Sequence, residues 1–263
     1  MATEANLSRL FDLSGKRVVV VGAGGGIGVP VCEGLAAHGA EVLCVDADGD
    51  AAGRAAAAAG RHAGRVRALR LRVESPADVD GLLAEAGPVD SVVSLFGMNV
   101  RRRIGDLSEE DFARVLAGNL TPSLFLMQGF GKALAENGGG SMVLFSSIRA
   151  LTTEPGQGAY GAAKAGLLML VKTLAAELGP AAVRVNAVAP SIVATEFTEP
   201  IRNDPVWGDA YARHTALNRW ASPAEMVGAT VFLVSDASSF VTGSHLLVDG
   251  GWTAIDGRFD PPI

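Results

Sequence analysis

The sequence predicts an α/β fold in which a doubly wound, parallel, seven-stranded sheet carries helices on both faces. Apolar, β-branched runs alternate along the chain with stretches of helical period. The runs at 17–21 and 41–46 enclose one such helical stretch, which makes a βαβ unit of about 30 residues. The 263 residues of the chain suit one α/β domain of about 250 residues.

The predicted elements follow in order. Strands are predicted at residues 17–21, 41–46, 66–73, 91–96, 141–146, 183–189 and 245–248. Helices are predicted between them at residues 26–39, 51–59, 77–86, 109–135, 159–178 and 224–233. Three of these helices are preceded by a serine with an acidic residue three positions later, the signature of a capped helix start, at Ser75, Ser108 and Ser222.

The domain prediction is a single unit over residues 1–263, with an extension at 1–12 and a tail at 253–263. Residues 190–222 have no clear periodicity, yet they contain three prolines and two tryptophans, too many apolar groups for a solvated linker. Long ordered loops of compact domains commonly serve as lids or binding loops. We therefore expect this segment to cover a substrate site.

Composition and charge exclude several classes of protein. Apolar residues make up 49% of the chain, too many for a disordered one, and the net charge of −6 disfavours a nucleic-acid partner. The N-terminal sequence lacks the pattern of a secretory signal, and no apolar run reaches the ~18 residues of a membrane span, so we expect no membrane partner and a cytoplasmic protein. Cys32 and Cys44 are predicted to be buried, reduced thiols, and no metal-ligand spacing is found.

A glycine-rich turn follows the first strand. Gly22, Gly26 and Gly28 form a GxxxGxG pattern between that strand and a helix, where backbone N–H groups and the positive helix end can bind a pyrophosphate. The next strand ends in Asp46, 18 residues past Gly28. A carboxylate at this position accepts hydrogen bonds from both ribose hydroxyls and repels a 2′-phosphate, which favours NAD over NADP as the cofactor.

Tyr160 and Lys164 are four residues apart on a predicted helix and therefore share a face. At ~5 Å and an effective dielectric of ~20 the pair is worth roughly 3 kcal/mol, enough to lower the pKa of the phenol by about two units. Such a phenol can act as a general acid or base near pH 7. Ser147 ends a strand thirteen residues upstream, where α/β sheets place reactive groups.

These motifs together resemble the short-chain dehydrogenase/reductase family over residues 13–252. Further matches are Asn119, the stretch RVNAVAP at 184–190 followed by Thr195, and GSHLLVDGG at 243–251. The resemblance implies a Rossmann-type fold and hydride transfer. Tyr160 would be the acid/base, Ser147 would polarise the substrate oxygen, Lys164 would hold the nicotinamide ribose and lower the pKa of Tyr160, and Asn119 would hold a water that links Lys164 to solvent.

The resemblance also implies a set of cofactor-binding residues, in which residues 190–195 cover the nicotinamide. The set is Gly22, Gly26, Ile27, Gly28, Asp46, Val73, Gly97, Tyr160, Lys164, Pro190, Ile192 and Thr195. The chain departs from the family pattern at Val21, at the segment 94–97 after the fourth strand, at Arg72 and at Ser191. We expect these departures to alter cofactor affinity and loop packing before the catalytic chemistry is lost.

Three functions are weighed. The favoured one is NAD-dependent hydride transfer between the cofactor and a secondary alcohol or ketone. A non-catalytic NAD-binding regulatory module is disfavoured because Asn119, Ser147, Tyr160 and Lys164 occur together. Reduction of 3-oxoacyl groups on a carrier protein is disfavoured by Asp46, because that reaction commonly uses NADPH; the arginines at 101–103 could contact such a carrier, but a solvated loop is the preferred interpretation.

Substrate and assembly are predicted last. Arg149, Glu154 and Gln157 lie between Ser147 and Tyr160, and their polarity favours a polyol, sugar or sugar acid over a steroid. The apolar strand at 245–248 would be an association hazard if it were left open at the edge of the sheet. We therefore predict a homotetramer, with a homodimer as second choice; for the tail at 256–263, contact with a neighbouring subunit and disorder both remain open.

Overall fold

The computed structural model describes residues 7–62 and 65–255 of the chain. Its strands are β1 (Arg17–Val21), β2 (Glu41–Asp46), β3 (Val66–Arg70), β4 (Ser91–Ser94), β5 (Gly140–Phe145), β6 (Val183–Pro190) and β7 (His245–Val248). In this described part they form one seven-stranded sheet of order β3-β2-β1-β4-β5-β6-β7, and every neighbouring pair is parallel. The predicted fold class is confirmed.

Helices cover both faces of this sheet. They are α1 (Gly28–Ala37), α2 (Gly49–Ala59), α3 (Pro76–Ala86), α4 (Glu109–Asn119), α5 (Thr121–Glu136), α6 (Gly158–Leu178), α7 (Glu199–Arg202), α8 (Pro205–Arg213) and α9 (Val227–Val234). Side chains of α3, α5 and α6 fill the core on one face, and those of α1, α2 and α9 fill the core on the other. No helix in the described ranges is long and apolar enough to cross a bilayer.

The apolar run of β1 shows why the strands could be recognised. Val19 and Val21 pack into one core while Val18 and Val20 pack into the other, because side chains alternate across a sheet. A strand covered on both faces is therefore apolar at every position rather than at every second one. β1 also lies at the point where the strand order reverses, with β2 on one side and β4 on the other.

Several predicted boundaries are wrong for local reasons. The helix predicted at 109–135 is divided at Leu120 into α4 and α5, because Pro122 has no N–H to continue the ladder of hydrogen bonds. The strand predicted at 66–73 ends at Arg70 on the exposed edge of the sheet. The helix predicted at 224–233 begins as a 3₁₀ turn at Pro223–Met226 and continues as α9.

The segment at 190–222 is not a structureless loop, since it contains α7 and α8. Asp204 caps α8 by accepting hydrogen bonds from the backbone N–H groups of Val206 and Trp207, and Pro205 occupies the first turn. This Asp-Pro start is the same kind of signal that marked other helices and was available in the sequence. Residues 1–6 of the predicted extension and 256–263 of the predicted tail lie outside the described residues.

Candidate active site

A cavity of about 220 Å³ opens at the carboxyl ends of β1, β4, β5 and β6, and we call it the strand-end cavity. Most of the predicted cofactor and catalytic residues line it: Gly22, Gly26, Ile27, Gly28, Gly97, Ser147, Tyr160, Lys164, Pro190 and Thr195. Asp46, Val73, Asn119 and Ile192 are not among its lining residues. The crevice lies where parallel sheets of reversed strand order bind their ligands.

Two glycines of the turn, Gly26 and Gly28, have no room for a side chain. A Cβ at Gly28 would lie 2.3 Å from the carbonyl oxygen of Gly22, and one at Gly26 would lie 2.7 Å from Cγ2 of Thr195. Gly22 itself has a φ of +82°, a backbone conformation that favours glycine. No side chain caps the start of α1. The N–H of Val29 donates to the carbonyl oxygen of Gly25, whereas the N–H groups of Gly26, Ile27 and Gly28 have no acceptor in the described residues and are available to a ligand in the strand-end cavity.

Asp46 ends β2 beside this turn. Its Oδ2 accepts a hydrogen bond from the backbone N–H of Gly24 at 2.9 Å, and its Oδ1 accepts one from Asp48 at 3.0 Å. The two bonds fix the carboxylate next to the glycine turn although it does not line the cavity. Val73 is buried in one core of the sheet, and Ile192 belongs to a small apolar cluster with Ile148; neither lines the strand-end cavity.

The first turns of α6 bring Tyr160 and Lys164 together, and the end of β5 adds Ser147. Lys164 is 2% exposed, and its Nζ donates hydrogen bonds to the carbonyl oxygens of Phe96 at 2.8 Å and Phe145 at 2.9 Å. The same Nζ lies 5.6 Å from the centroid of the Tyr160 ring. The predicted trio is therefore assembled at the base of the cavity.

Burial controls the titration of this pair. It raises the pKa of Tyr160 to about 12, although a hydrogen bond with Ser147 and the charge of Arg149 act in the opposite direction. Burial also lowers the pKa of Lys164 to about 7. The predicted lowering of the Tyr160 pKa by Lys164 is wrong for this structure, because loss of hydration outweighs the neighbouring charges and the lysine donates to backbone carbonyls instead.

Asn119 ends α4 and is fully buried. Its Nδ2 donates to the carbonyl oxygens of Met98 and Val115, each at 2.8 Å, and its Oδ1 accepts from the N–H of Met98 at 3.4 Å. The side chain thereby fixes the segment that follows β4, whose Phe96 carbonyl accepts from Lys164. Asn119 does not line the strand-end cavity and can influence it only through this segment.

A second cavity of about 330 Å³ lies between the strand-end cavity and α8, and we call it the α8 cavity. Ser147 and Tyr160 line both cavities. Of the predicted substrate residues, Arg149 and Gln157 also line the α8 cavity, whereas Glu154 does not. The two cavities therefore adjoin, and they share Ser147 and Tyr160 together with Ser191, Phe197 and Thr198 on their walls.

Sequence reasoning missed several residues of the α8 cavity. Asn99, Arg101, Trp207 and Tyr211 line it, and Arg101 donates a hydrogen bond to Glu154 at 2.6 Å. The prediction of a solvated loop is thus wrong for Arg101. Tyr211 could have been found through the Asp-Pro start of α8, whereas no local pattern indicates the position of Asn99.

The fold and the site define a dinucleotide-binding oxidoreductase. A glycine turn at the strand-order reversal lies beside a half-buried tyrosine, a buried serine and a buried lysine. A family model described as enoyl-(acyl carrier protein) reductase matches residues 22–253. The chain belongs to the short-chain dehydrogenase/reductase family and is an oxidoreductase.

Curated relatives and solved structures agree with this assignment. D-threitol dehydrogenase of Mycolicibacterium smegmatis is 35% identical over 256 residues, which cover 96% of this chain and 98% of the relative. Gluconate 5-dehydrogenase of Gluconobacter oxydans is 33% identical over 93% of this chain and 97% of its own. The crystal structure of a gluconate 5-dehydrogenase from Burkholderia cenocepacia in complex with NADP and tartrate has a TM-score of 0.86 and 27% identity, covering 95% of this chain and 100% of that chain.

Proposed function

We propose that the protein is a nicotinamide-dependent dehydrogenase that interconverts a secondary alcohol and a ketone in a polyol, sugar or sugar acid. The observation that carries the proposal is the junction of two cavities at Ser147 and Tyr160. One cavity has the glycine turn on its wall, and the other has polar side chains. A cofactor in the first and a substrate in the second would meet at the two hydroxyls.

The residues on the wall of the strand-end cavity suit a dinucleotide. When bound, the nicotinamide supplies the acceptor or donor of the hydride. Gly26, Ile27 and Gly28 would hold the pyrophosphate at the open start of α1, and Lys164 would hold the ribose. Pro190 and Thr195 line the same cavity, and Thr195 lies against Gly26, which supports a covering role for the segment that begins at residue 190.

Tyr160 would move the proton. With a pKa of about 12 its phenol carries a proton at neutral pH and can donate it to the substrate oxygen during ketone reduction. Alcohol oxidation requires the reverse transfer, for which positive charge near the ring has to offset the burial that raises the pKa of Tyr160. Lys164, whose pKa is about 7, can supply that charge near neutral pH. Ser147 would hold the same substrate oxygen through its hydroxyl.

The preferred cofactor in this proposal is NAD. Asp46 is fixed beside the glycine turn by two backbone N–H groups, so its charge cannot easily move away from a 2′-phosphate. A related gluconate 5-dehydrogenase was crystallised with NADP, so both cofactors have to be compared directly. The substrate class is supported by the relatives, whose names refer to threitol and gluconate.

The assembly in this proposal is a homotetramer, and the location is the cytoplasm. β7 is an edge strand with Leu247 39% exposed, and Phe240 nearby in the sequence is fully exposed, which supports a contact between subunits at this edge. Cys32 and Cys44 are buried free thiols, a state that a reducing compartment preserves.

The proposal is tested by replacing the proton carrier. NAD and NADP reduction is measured with a panel of alditols, aldonates and simple secondary alcohols, and Tyr160→Phe is then compared on the best substrate. Turnover should fall by roughly 10²-fold or more, since an acid/base is lost, while NAD affinity measured by calorimetry changes less than about twofold. Near wild-type turnover in the variant would show that Tyr160 is not the proton carrier.

The same panel separates the other functions. A regulatory module would bind NAD and turn over none of the alcohols or their ketones. A carrier-dependent reductase would prefer NADPH with a 3-oxoacyl group on a carrier protein to every member of the panel.

A further inference from the structure

The wall of the α8 cavity carries positive charge. Arg101 and Arg149 line it, and none of its described lining residues is acidic. Glu154 lies behind the two arginines and contributes a single negative charge. The cluster of Arg101, Arg149 and Glu154 therefore has a net charge of +1 and presents its cations to the cavity.

Glu154 holds the arginines in place. Its carboxylate accepts hydrogen bonds from Arg101 at 2.6 Å, from Arg149, from the hydroxyl of Tyr211 at 2.6 and 2.7 Å, and from Nε2 of Gln157 at 3.2 Å. Although burial opposes ionisation, the hydrogen bonds from Tyr211 and Arg101 and the charge of Arg149 lower the pKa of Glu154. The carboxylate stays charged and has its acceptor positions filled.

Aromatic rings restrict the guanidinium groups further. The guanidinium of Arg101 lies 5.1 Å from the centroid of the Trp207 ring, and that of Arg149 lies 5.4 Å from the centroid of the Trp252 ring. Arg149 donates through Nη2 alone, so its Nε and Nη1 have no acceptor within the described part of the chain. Preorganised donors of this kind bind a carboxylate with little loss of conformational freedom.

A buried acceptor in the same cavity has no donor. Gln157 donates to Glu154 through Nε2, which leaves its Oε1 to accept from Nδ2 of Asn99 at 2.7 Å. This chain of bonds fixes the Asn99 amide, and its buried Oδ1 has no hydrogen-bond partner in the described structure. A buried acceptor left unpaired is costly, so a ligand hydroxyl that donates to it would be favoured.

We propose, on the basis of the function proposed above, that the substrate is a small hydroxy acid. Its carboxylate binds to Arg101 and Arg149, and one of its hydroxyls donates to Oδ1 of Asn99. A neutral polyol can supply the hydroxyl but leaves the net positive charge unbalanced. The volume of about 330 Å³ is at the small end of ligand sites and suits an acid of about four to six carbons.

The test compares matched pairs of substrates that differ only at C1, where the acid has a carboxylate and the alditol a primary alcohol. D-gluconate is compared with D-glucitol, and L-threonate with L-threitol, each with saturating cofactor. We expect kcat/KM to be at least about 100-fold higher for the acid of the pair that is turned over. Equal or better turnover of the neutral alditols would overturn the hydroxy-acid inference and leave the dehydrogenase function intact. Turnover of neither class, nor of the corresponding ketones, would refute both.

Substitutions at Arg101 and Arg149 locate the carboxylate. Arg101→Gln should raise KM for the acid by about 10- to 100-fold with a much smaller change in kcat, and should raise KM for the alditol several-fold less. Arg103→Gln is the matched control, because Arg103 is exposed in the same run of arginines and does not line the cavity. Arg149→Lys keeps the charge of the more buried arginine and should raise KM less than Arg149→Gln.

The outcome of the variant series is decisive. An equal loss of activity toward acid and alditol in Arg101→Gln would assign Arg101 a structural role and contradict the proposal. A KM effect of the same size in Arg103→Gln would do so as well, because it would reflect the general charge of the surface.

Discussion

Replacing Lys164 with methionine should remove a strong pH dependence from the stability of this protein. Lys164 is 2% exposed and donates only to the carbonyl oxygens of Phe96 and Phe145, with no carboxylate paired to its Nζ in the described residues. Burial lowers its pKa to about 7 from an ordinary value of 10.5. Methionine has a similar length and carries no charge, so its burial does not require a charged group to be removed from water.

The sign and size of the effect follow from the two pKa values. Between about pH 7 and 10.5 the unfolded chain holds the lysine proton more tightly than the folded chain, so the stability of the wild type rises with pH in this window. At about 1.4 kcal/mol for each pKa unit, the advantage of methionine over lysine should shrink by about 3 kcal/mol between pH 6.5 and pH 9.5. The two lost hydrogen bonds, worth about 1 kcal/mol each, change the absolute difference in unfolding free energy between the variant and the wild type. They add little to the way that this difference varies with pH.

The assay is urea unfolding of the cofactor-free protein at one fixed concentration and at pH 6.5, 8 and 9.5. Lys132→Met is the matched control, because Lys132 is 78% exposed on α5 and its difference from the wild type should not vary with pH. The Lys164→Met variant should also bind NAD more weakly and lose activity. A difference between Lys164→Met and the wild type that stays constant or grows with pH would refute the reasoning.

The remaining predictions concern the cofactor and the assembly. Calorimetric titration should give at least about tenfold tighter binding of NAD(H) than of NADP(H), or ~1.4 kcal/mol, and Asp46→Ser should narrow this ratio because it removes the repelling charge. Equal or tighter binding of NADPH by the wild type would contradict the role of Asp46. Light scattering at micromolar concentration should give a mass about four times the 26.9 kDa of the chain. A monomer mass that persists in the presence of NAD would exclude the tetramer.

The sequence by itself determined the features that depend on neighbours along the chain. Strands covered on both faces are apolar at every position, so β1 could be recognised from its apolar run. The helix caps at Ser75 and Ser108 formed where they were predicted. The glycine turn and the four-residue spacing of Tyr160 and Lys164 are local patterns as well. The five residues that form these two patterns all line the strand-end cavity.

Only the tertiary structure decided the chemistry of the α8 cavity and the titration of the buried pair. Arg101 and Glu154 are 53 residues apart in the chain, and Glu154 and Tyr211 are 57 apart, so no local pattern relates them. The pKa values of Tyr160 and Lys164 likewise depend on how much water the folded chain removes from them. The spacing of two residues along a helix predicts the distance between their charges. The loss of hydration and the hydrogen bonds that also shift their pKa values come from segments distant in sequence.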